Sequence, residues 1–415
     1  MLVYVINKNG NPLMPCRPSK ARKLLRDGKA KVIRKEPFTI KLLWDCIEFV
    51  QELTVAIDSG SKYIGSAVRD EDNNVYYMSQ VEVRQDVTTK MKQRKMYRRN
   101  RRSRKTRYRK ARFLNRKNSI KKDRYSPTLS YKYDLHIREI TYTSRILPVK
   151  KCIIETGNFD IHAMHNPEVL KHPWLYQKGV KLGFYNTKAY ILYRDGYTCQ
   201  YCNNKRKDSR LHVHHVIYVS NGGSDRPNNL LTLCILCHDD LHAGLLTLTK
   251  KNVKNLNLKH ATHMNVLSSM FRKRITFQET FGYITKAVRE YFKVAKSHYN
   301  DAICIGLTNP KFPTLKTDKV IFKKSIPKGV YQIFHGSRSE KRYPKGKIQG
   351  FNRWDKVLYK GEKCFIKGRM STGYAILCDI FNTKLNFKPI PKFPLLTKLS
   401  AAKSWIMIEQ NVPSS

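Results

Sequence analysis

Between Lys90 and Lys122 the chain carries eighteen lysines and arginines and no acidic residue. A stretch with that charge cannot lie in a hydrophobic core, because each buried cation needs a partner and the stretch supplies none of its own. Any sheet that forms on either side must therefore be interrupted there, with the folded units assembled around the break. The stretch contains no Gly or Pro and is built of strong helix formers. It predicts one long cationic helix, with Met91, Met96, Tyr97, Tyr108, Phe113 and Leu114 as its few apolar contacts.

The whole chain shares the imbalance, with 81 Lys+Arg against 31 Asp+Glu and a net charge of +50 over 415 residues. Self-repulsion on that scale opposes compaction unless a polyanion neutralises it, so a long nucleic acid is the expected partner. No apolar run reaches the length of about 18 residues that a membrane span requires. The N-terminal MLVYVINKNGNPLMP also lacks the basic start and apolar core of a secretion signal. The expected location is a cytoplasm. Of ten cysteines, four fall in two Cys-x-x-Cys pairs and the rest are scattered, which fits a metal site in a reducing compartment better than a disulfide framework.

Patterning divides the chain further. Residues 1–50 read as a small β-rich unit with one helix, PSKARKLLRDGKA. Residues 51–85 supply strands from LTVAIDSGSKYIGSAV and NNVYYMSQVEV, the start of a mixed sheet. After the cationic segment, 86–122, residues 123–180 give a helix and then the short apolar strand VKKCIIETGNF, where the sheet resumes. A compact Cys/His-rich insertion follows at 181–250, and QETFGYITKAVREYFKVAKSHYNDAICIGL restores helical periodicity within 251–310. The short alternating segments KVIFKK, GVYQIF, KVLYKGEKCFIKG and GYAILCDI predict a β-rich C-terminal unit over 311–415.

Two groups of residues carry chemistry. Cys199-x-x-Cys202 and Cys234-x-x-Cys237 form two chelating pairs, the arrangement a tetrahedral structural Zn2+ requires. Between them, His214 and His215 adjoin on a strand and so point to opposite faces, which forbids one shared job. Asp58, Glu155 and Asp301 each close a strand or open a helix in an apolar context, TVAIDSG, CIIETG and HYNDAICIG. Carboxylates so placed are costly unless a cation meets them, and two Mg2+ ions would account for all three. His298 lies three residues before Asp301 on the same helix face.

The segments RDGYTCQYC, HVHHVIYVSNGGSDRPNNLLTLC and CHDDLH resemble the HNH (ββα-metal) nucleases in their four-cysteine form. The resemblance implies His215 as general base, Asn229 as the residue that orients it, and His214 with His238 as ligands of a catalytic divalent metal, assisted by His242. Many members carry Asp where this chain has His214. The three acids, with His298, resemble the split centre of a RuvC-type, RNase H-like nuclease.

A split RuvC domain with an arginine-rich bridge helix and an inserted HNH module is the layout of type II CRISPR effectors and the compact, transposon-encoded IscB family. NGNPLMPCRPSKARKLLRDGKA resembles the N-terminal PLMP domain that marks IscB. The implied fold class is multidomain α/β: PLMP domain 1–50, RuvC segments 51–85, 123–180 and 251–310, bridge helix 86–122, HNH domain 181–250, and a C-terminal domain 311–415 that interacts with a target-adjacent motif.

Implied with it are a guide omega RNA, a double-stranded DNA target with its adjacent motif, and a monomeric protein within the ribonucleoprotein. Mg2+ or Mn2+ would serve both nuclease sites. HNH would cut the guide-paired strand and RuvC the displaced one. Arg94, Arg98, Arg99, Arg101, Arg102, Arg104, Arg107, Arg109 and Arg112 would contact phosphates. The rival readings are a protein-guided homing or restriction-type HNH endonuclease and a catalytically silent nucleic-acid-binding protein.

Overall fold

A computed structural model describes residues 2–103, 124–179, 181–206, 210–221, 223–248, 258–307, 311–327 and 346–412. The cationic helix is described to Ser103, so Arg104, Arg107, Arg109 and Arg112 lie outside the described residues, as does GVYQIF. The chain forms two compact units, Met1–Gly157 with His263–Ser415, and Asn158–Thr262. Among the described residues no helix is long and apolar enough to cross a membrane.

The first unit opens with β1 (Val3–Ile6), β2 (Pro12–Cys16), α1 (Pro18–Arg26), β3 (Ala30–Lys35) and β4 (Phe38–Leu42), paired in the order β2-β1-β4-β3. Pro18 starts α1, where a missing N–H costs nothing, and Lys23 and Arg26 sit in its last turn against the negative end of the helix dipole. Its buried Ala21 packs with Val3, Val5, Ile40 and Leu42.

The antiparallel strands β5 (Leu53–Asp58), β6 (Tyr63–Arg69) and β7 (Asn74–Glu82) lead into α2 (Val87–Ser103) and α3 (Pro127–Ser144). The Ser126 hydroxyl caps α3 by accepting from the Leu129 amide. Strand β8 (Val149–Thr156) then pairs parallel to β5. The second unit follows, with α4 (Ile161–His165), α5 (Thr187–Arg194), the hairpin β9 (Leu211–His215) and β10 (Leu230–Cys234), and α6 (Ile235–His242).

The chain continues through α7 (Lys259–Arg274), β11 (Gln278–Phe281), α8 (Gly282–Tyr291), α9 (His298–Cys304), β12 (Thr314–Leu315) and β13 (Lys319–Ser325). Strands β14 (Lys356–Tyr359), β15 (Glu362–Arg369), β16 (Ala375–Cys378) and β17 (Thr397–Ser400) make a separate four-stranded sheet, and β18 (Trp405–Asn411) ends the described chain. The central sheet runs β11-β8-β5-β6-β7-β13-β18, with β12 also on β7.

Two expectations change here. The alternating segments after residue 311 divide between two sheets: β12, β13 and β18 extend the central one, and only β14–β17 stand apart. QETF, read as the start of a helical stretch, is strand β11, parallel to β8. Both corrections have one cause, since alternation identifies a strand but its partner is chosen by distant residues.

Helices cover both faces of the central sheet. On one, Leu135 and Tyr142 of α3 and Leu267, Met270 and Phe271 of α7 pack on Val55, Ile57, Ile64 and Ile154. On the other, Ala302 and Ile303 of α9 meet Ala67 and Met78. A fully buried ion pair lies in the first layer, with Lys323 Nζ 2.7 Å from Glu139 Oε2 and the Ser79 and Tyr77 hydroxyls donating to Glu139 Oε1. Burial draws the Lys323 amine down to about 8 although Glu139 opposes the fall. The lysine also lies 3.8 Å from the centre of the Tyr142 ring, a cation–π contact.

Candidate functional site

Side-chain alternation fixes where the three acids go. Val55 and Ile57 of β5, and Ile154 of β8, face α3 and α7, so Asp58 and Glu155 must face α9. The parallel register sets Asp58 directly beside Glu155. From α9 comes Asp301, one turn into a helix capped by Ser297, whose hydroxyl accepts from the Asn300 amide at 3.2 Å. His298, at the first position of that helix, has Nδ1 2.6 Å from Asp58 Oδ2 and stacks on Tyr63 at 5.2 Å.

Two glycines allow this closeness. Gly65 pairs with Asp58 across β5 and β6, and a Cβ there would lie 1.8 Å from the His298 carbonyl oxygen. A Cβ on Gly282 would lie 2.9 Å from Glu155 Oε1.

Burial and mutual repulsion set the electrostatics of the three acids. Burial raises the Glu155 carboxyl to about 7; Asp58 and Asp301 add to the rise, and Thr285 and His298 oppose it. Its buried Oε2 has no hydrogen-bond partner. Burial followed by the charge of Asp58 also raises Asp301, although Arg289, 2.9 Å away, draws it back. The hydrogen bond to Asp58 raises His298 against the effect of its burial.

Asp58, Glu155 and Asp301 do not draw their oxygens within 4.8 Å of one another as a set. Arg289 and His298 instead hold one acid each. Oxygen donors of this kind, one with an orphaned buried atom, fit Mg2+ or Mn2+.

The second unit contains the two clusters of three or more possible ligands that lie within 4.8 Å among the described residues. The first is Cys199, Cys202, Cys234 and Cys237. Sulfurs about 2.3 Å from a central zinc in a tetrahedron stand about 3.8 Å apart, and the Cys202 and Cys234 sulfurs are separated by 3.8 Å. Burial would push the Cys202 thiol up, but the Arg206 amide and the neighbouring thiols bring it down to about 7. The set fits a structural Zn2+. The hairpin is anchored by Arg194 of α5, which donates to the Leu230 carbonyl at 2.9 Å, and by Asp195, which accepts from the Thr232 amide at 2.9 Å.

The second cluster is His214, His238 and His242. Strand β9 brings His214, and α6 brings the other two, four residues apart on one face. His214 Nδ1 donates to the His215 carbonyl at 3.2 Å, which leaves Nε2 as a buried atom with no partner and a free lone pair. Burial, then the neighbouring His238, His242 and His215, push His214 down to about 4, so the ring is neutral near pH 7. Three imidazole nitrogens suit Fe2+, Ni2+, Cu2+ or Zn2+ better than Mg2+, which prefers oxygen. The fit therefore shifts the expected metal of this cluster away from Mg2+.

His215 faces the opposite way, with Nε2 2.8 Å from Asp225 Oδ1. Asn229, fully buried, spends its side chain on the backbone of the loop after β9: it donates to the Ile217 carbonyl at 3.0 Å and the Ser224 carbonyl at 2.8 Å, and accepts from the Ile217 amide at 3.0 Å. No hydrogen bond joins it to the His215 ring. The carboxylate that touches His215 is Asp225, which sequence reasoning passed over. Arg289, Gly65 and Gly282 were missed as well; only Asp225, just after a Gly-Gly turn, stood near a flagged residue.

Residues 199–244 match the HNH endonuclease family, and residues 3–179 match the RRXRR protein family. The second stretch includes RRNRR at residues 98–102. The histidines and the cysteine cage thus belong to a nuclease of the HNH class. An RRXRR segment thus lies ahead of an HNH endonuclease domain in one chain.

The type IV methyl-directed restriction enzyme EcoKMcrA of Escherichia coli (strain K12) is 36% identical over 75 residues, 17% of this chain and 25% of that enzyme. The chain thus spans about a quarter of that relative. Streptococcus thermophilus Cas9 in complex with an AGGA PAM superposes with a TM-score of 0.32 at 12% identity, covering 61% of this chain and 32% of that chain. Its complex with the AGAA PAM gives 0.31 at 12% identity over the same shares.

Proposed function

We propose that the chain is an RNA-guided endonuclease of double-stranded DNA. In this reading an omega RNA pairs with the target, the HNH site cuts the guide-paired strand, and the carboxylate centre, a split RuvC-type site, cuts the displaced one. The observation that carries the proposal is that one chain holds two chemically different centres, three histidines beside His215 and three acids beside His298. A nuclease with one strand to cut has no use for the second. The surplus of +50 and the arginines of α2 supply phosphate contacts, and pairing with the guide supplies sequence.

At the first centre the residues divide the work. With Nε2–H donating to Asp225, His215 keeps the Nδ1 lone pair to accept a proton from water. Asn229 holds the loop that carries Asp225. His214, His238 and His242 aim their nitrogens at one point, where a bound divalent cation would supply charge neutralisation at the scissile phosphate. At the second, Asp58, Glu155 and Asp301 would hold Mg2+ or Mn2+, which would neutralise charge at the phosphate, and His298, fixed by Asp58 and Tyr63, is placed to move a proton. The sheet β14–β17 belongs to the unit that reads the adjacent motif, and the protein works as a monomer with its RNA in the cytoplasm.

The test is strand-resolved. His215→Ala should leave nicking of the displaced strand alone, and Asp58→Ala nicking of the guide-paired strand alone. Cutting of both strands by either variant would refute the assignment of that centre. Protein purified from cells carrying its own locus should bring down one discrete RNA. A second reading, a protein-guided restriction-type nuclease, is favoured by the match of 75 residues to a restriction enzyme. It predicts target cutting by RNA-free protein.

A further inference from the structure

Gly282 begins α8 between two aromatic residues, Phe281 and Tyr283. The space a side chain would take there is held by Glu155, since a Cβ would lie 2.9 Å from Oε1. The flanking rings are parallel within 6°, with centroids 6.1 Å apart. Tyr283 is nevertheless 72% exposed. A lone exposed aromatic residue needs no explanation. This one lies parallel to a neighbour, stands in water, and is one residue from a glycine whose missing side chain leaves room for a proposed metal-binding carboxylate.

We propose that Tyr283, steadied by Phe281, is the base-stacking residue of the carboxylate centre and takes the nucleobase beside the scissile phosphate of single-stranded DNA. The inference rests on the reading of Asp58, Glu155 and Asp301 as a nuclease centre. Every base has a π-face, so stacking on a fixed ring holds a nucleotide whatever its sequence. In a duplex both faces of each base are already covered by neighbouring pairs, so the ring finds no face to stack on. Tyr283 thereby admits an unpaired strand and rejects a paired one. The Tyr63 and His298 rings, stacked at 5.2 Å beside Asp58, bound the same centre.

The experiment uses the full chain with its co-purified RNA and a target whose two strands carry distinct labels. Tyr283→Ala should slow nicking of the displaced strand on the order of 10- to 100-fold, the worth of one stacked base, with the guide-paired strand cut at the parental rate. Tyr283→Phe should restore the rate. An abasic nucleotide beside the cut should slow the parent by the same factor and leave Tyr283→Ala no slower than before.

Parental rates in Tyr283→Ala, or abasic and alanine effects that multiply, would overturn the proposal. Asp58→Ala in parallel separates the two inferences, because persistent nicking of the displaced strand in that variant refutes the nuclease centre itself. A single-stranded oligonucleotide bearing 5-iododeoxyuridine gives a readout independent of cutting. Its crosslink should map to Tyr283, and a crosslink elsewhere alone counts against the stack.

Discussion

Replacing Glu155 by Gln should make the metal-free protein more stable at alkaline pH. The folded-state pKa of Glu155 is about 7, against an ordinary value of 4.5. Below 4.5 the carboxyl is protonated both folded and unfolded, and it contributes no pH dependence. Between 4.5 and 7 the unfolded chain releases the proton while the folded chain keeps it, so stability falls as pH rises. Above 7 the loss is complete, about 3 kcal/mol at roughly 1.4 kcal/mol per unit. Gln has no proton to lose, so the difference between variant and parent grows across that window and then levels off.

A chain of several units does not melt as one, so the readout is hydrogen exchange at the β5 and β8 amides, comparing variant with parent at each pH in chelator. At pH 8 the variant's amides should exchange up to about 100-fold more slowly, the factor that about 3 kcal/mol represents. Excess Mg2+ should protect the parent and leave Glu155→Gln nearly unchanged. Parallel profiles for the two proteins from pH 4 to 8 would refute the account of Glu155 as a strained carboxylate waiting for a cation.

Lys323→Met should destabilise the central sheet by about 3–5 kcal/mol, because it strands Glu139 unpaired in the core, and adding Glu139→Gln should recover much of the loss; denaturant titration followed by tryptophan fluorescence measures both. Cys202→Ser should lower the zinc content measured by mass spectrometry and release β9 and β10 to rapid hydrogen exchange. His242→Ala should weaken Ni2+ binding by at least tenfold in calorimetry and alter Mg2+ binding far less. Gly65→Ala should cost more than 1 kcal/mol and disable the carboxylate centre, since α9 must retreat to admit the methyl group.

Much of the chemistry was legible in one dimension because it is local. Cys-x-x-Cys spacing implies chelation before any fold is known, and His214 next to His215 must diverge on a strand. Asp58 and Glu155 were visible as acids ending apolar strands, but the register that sets them side by side comes from the pairing of β5 with β8. What stayed hidden depends on contacts between distant segments. Gly65 and Gly282 look like ordinary turn or cap residues until α9 and Glu155 press on them. Arg289 reads as one more helix cation until Asp301 sits 2.9 Å away. Strand β11 was masked by the helix that begins at its next residue, and β13 and β18 alternate as strands of any sheet would.

The eight residues of α6 hold Cys237 in one cluster and His238 and His242 in the other. Two ions bound at so short a helix would be thermodynamically linked: whatever order one of them imposed on α6 would be order the other no longer had to create. Stripping the zinc should therefore lower the affinity of the histidine cluster, and loading the histidines should slow zinc loss by the same coupling factor in equilibrium terms. A cell short of zinc would then hold a protein whose histidine cluster binds its ion less tightly although all three histidines remain in place.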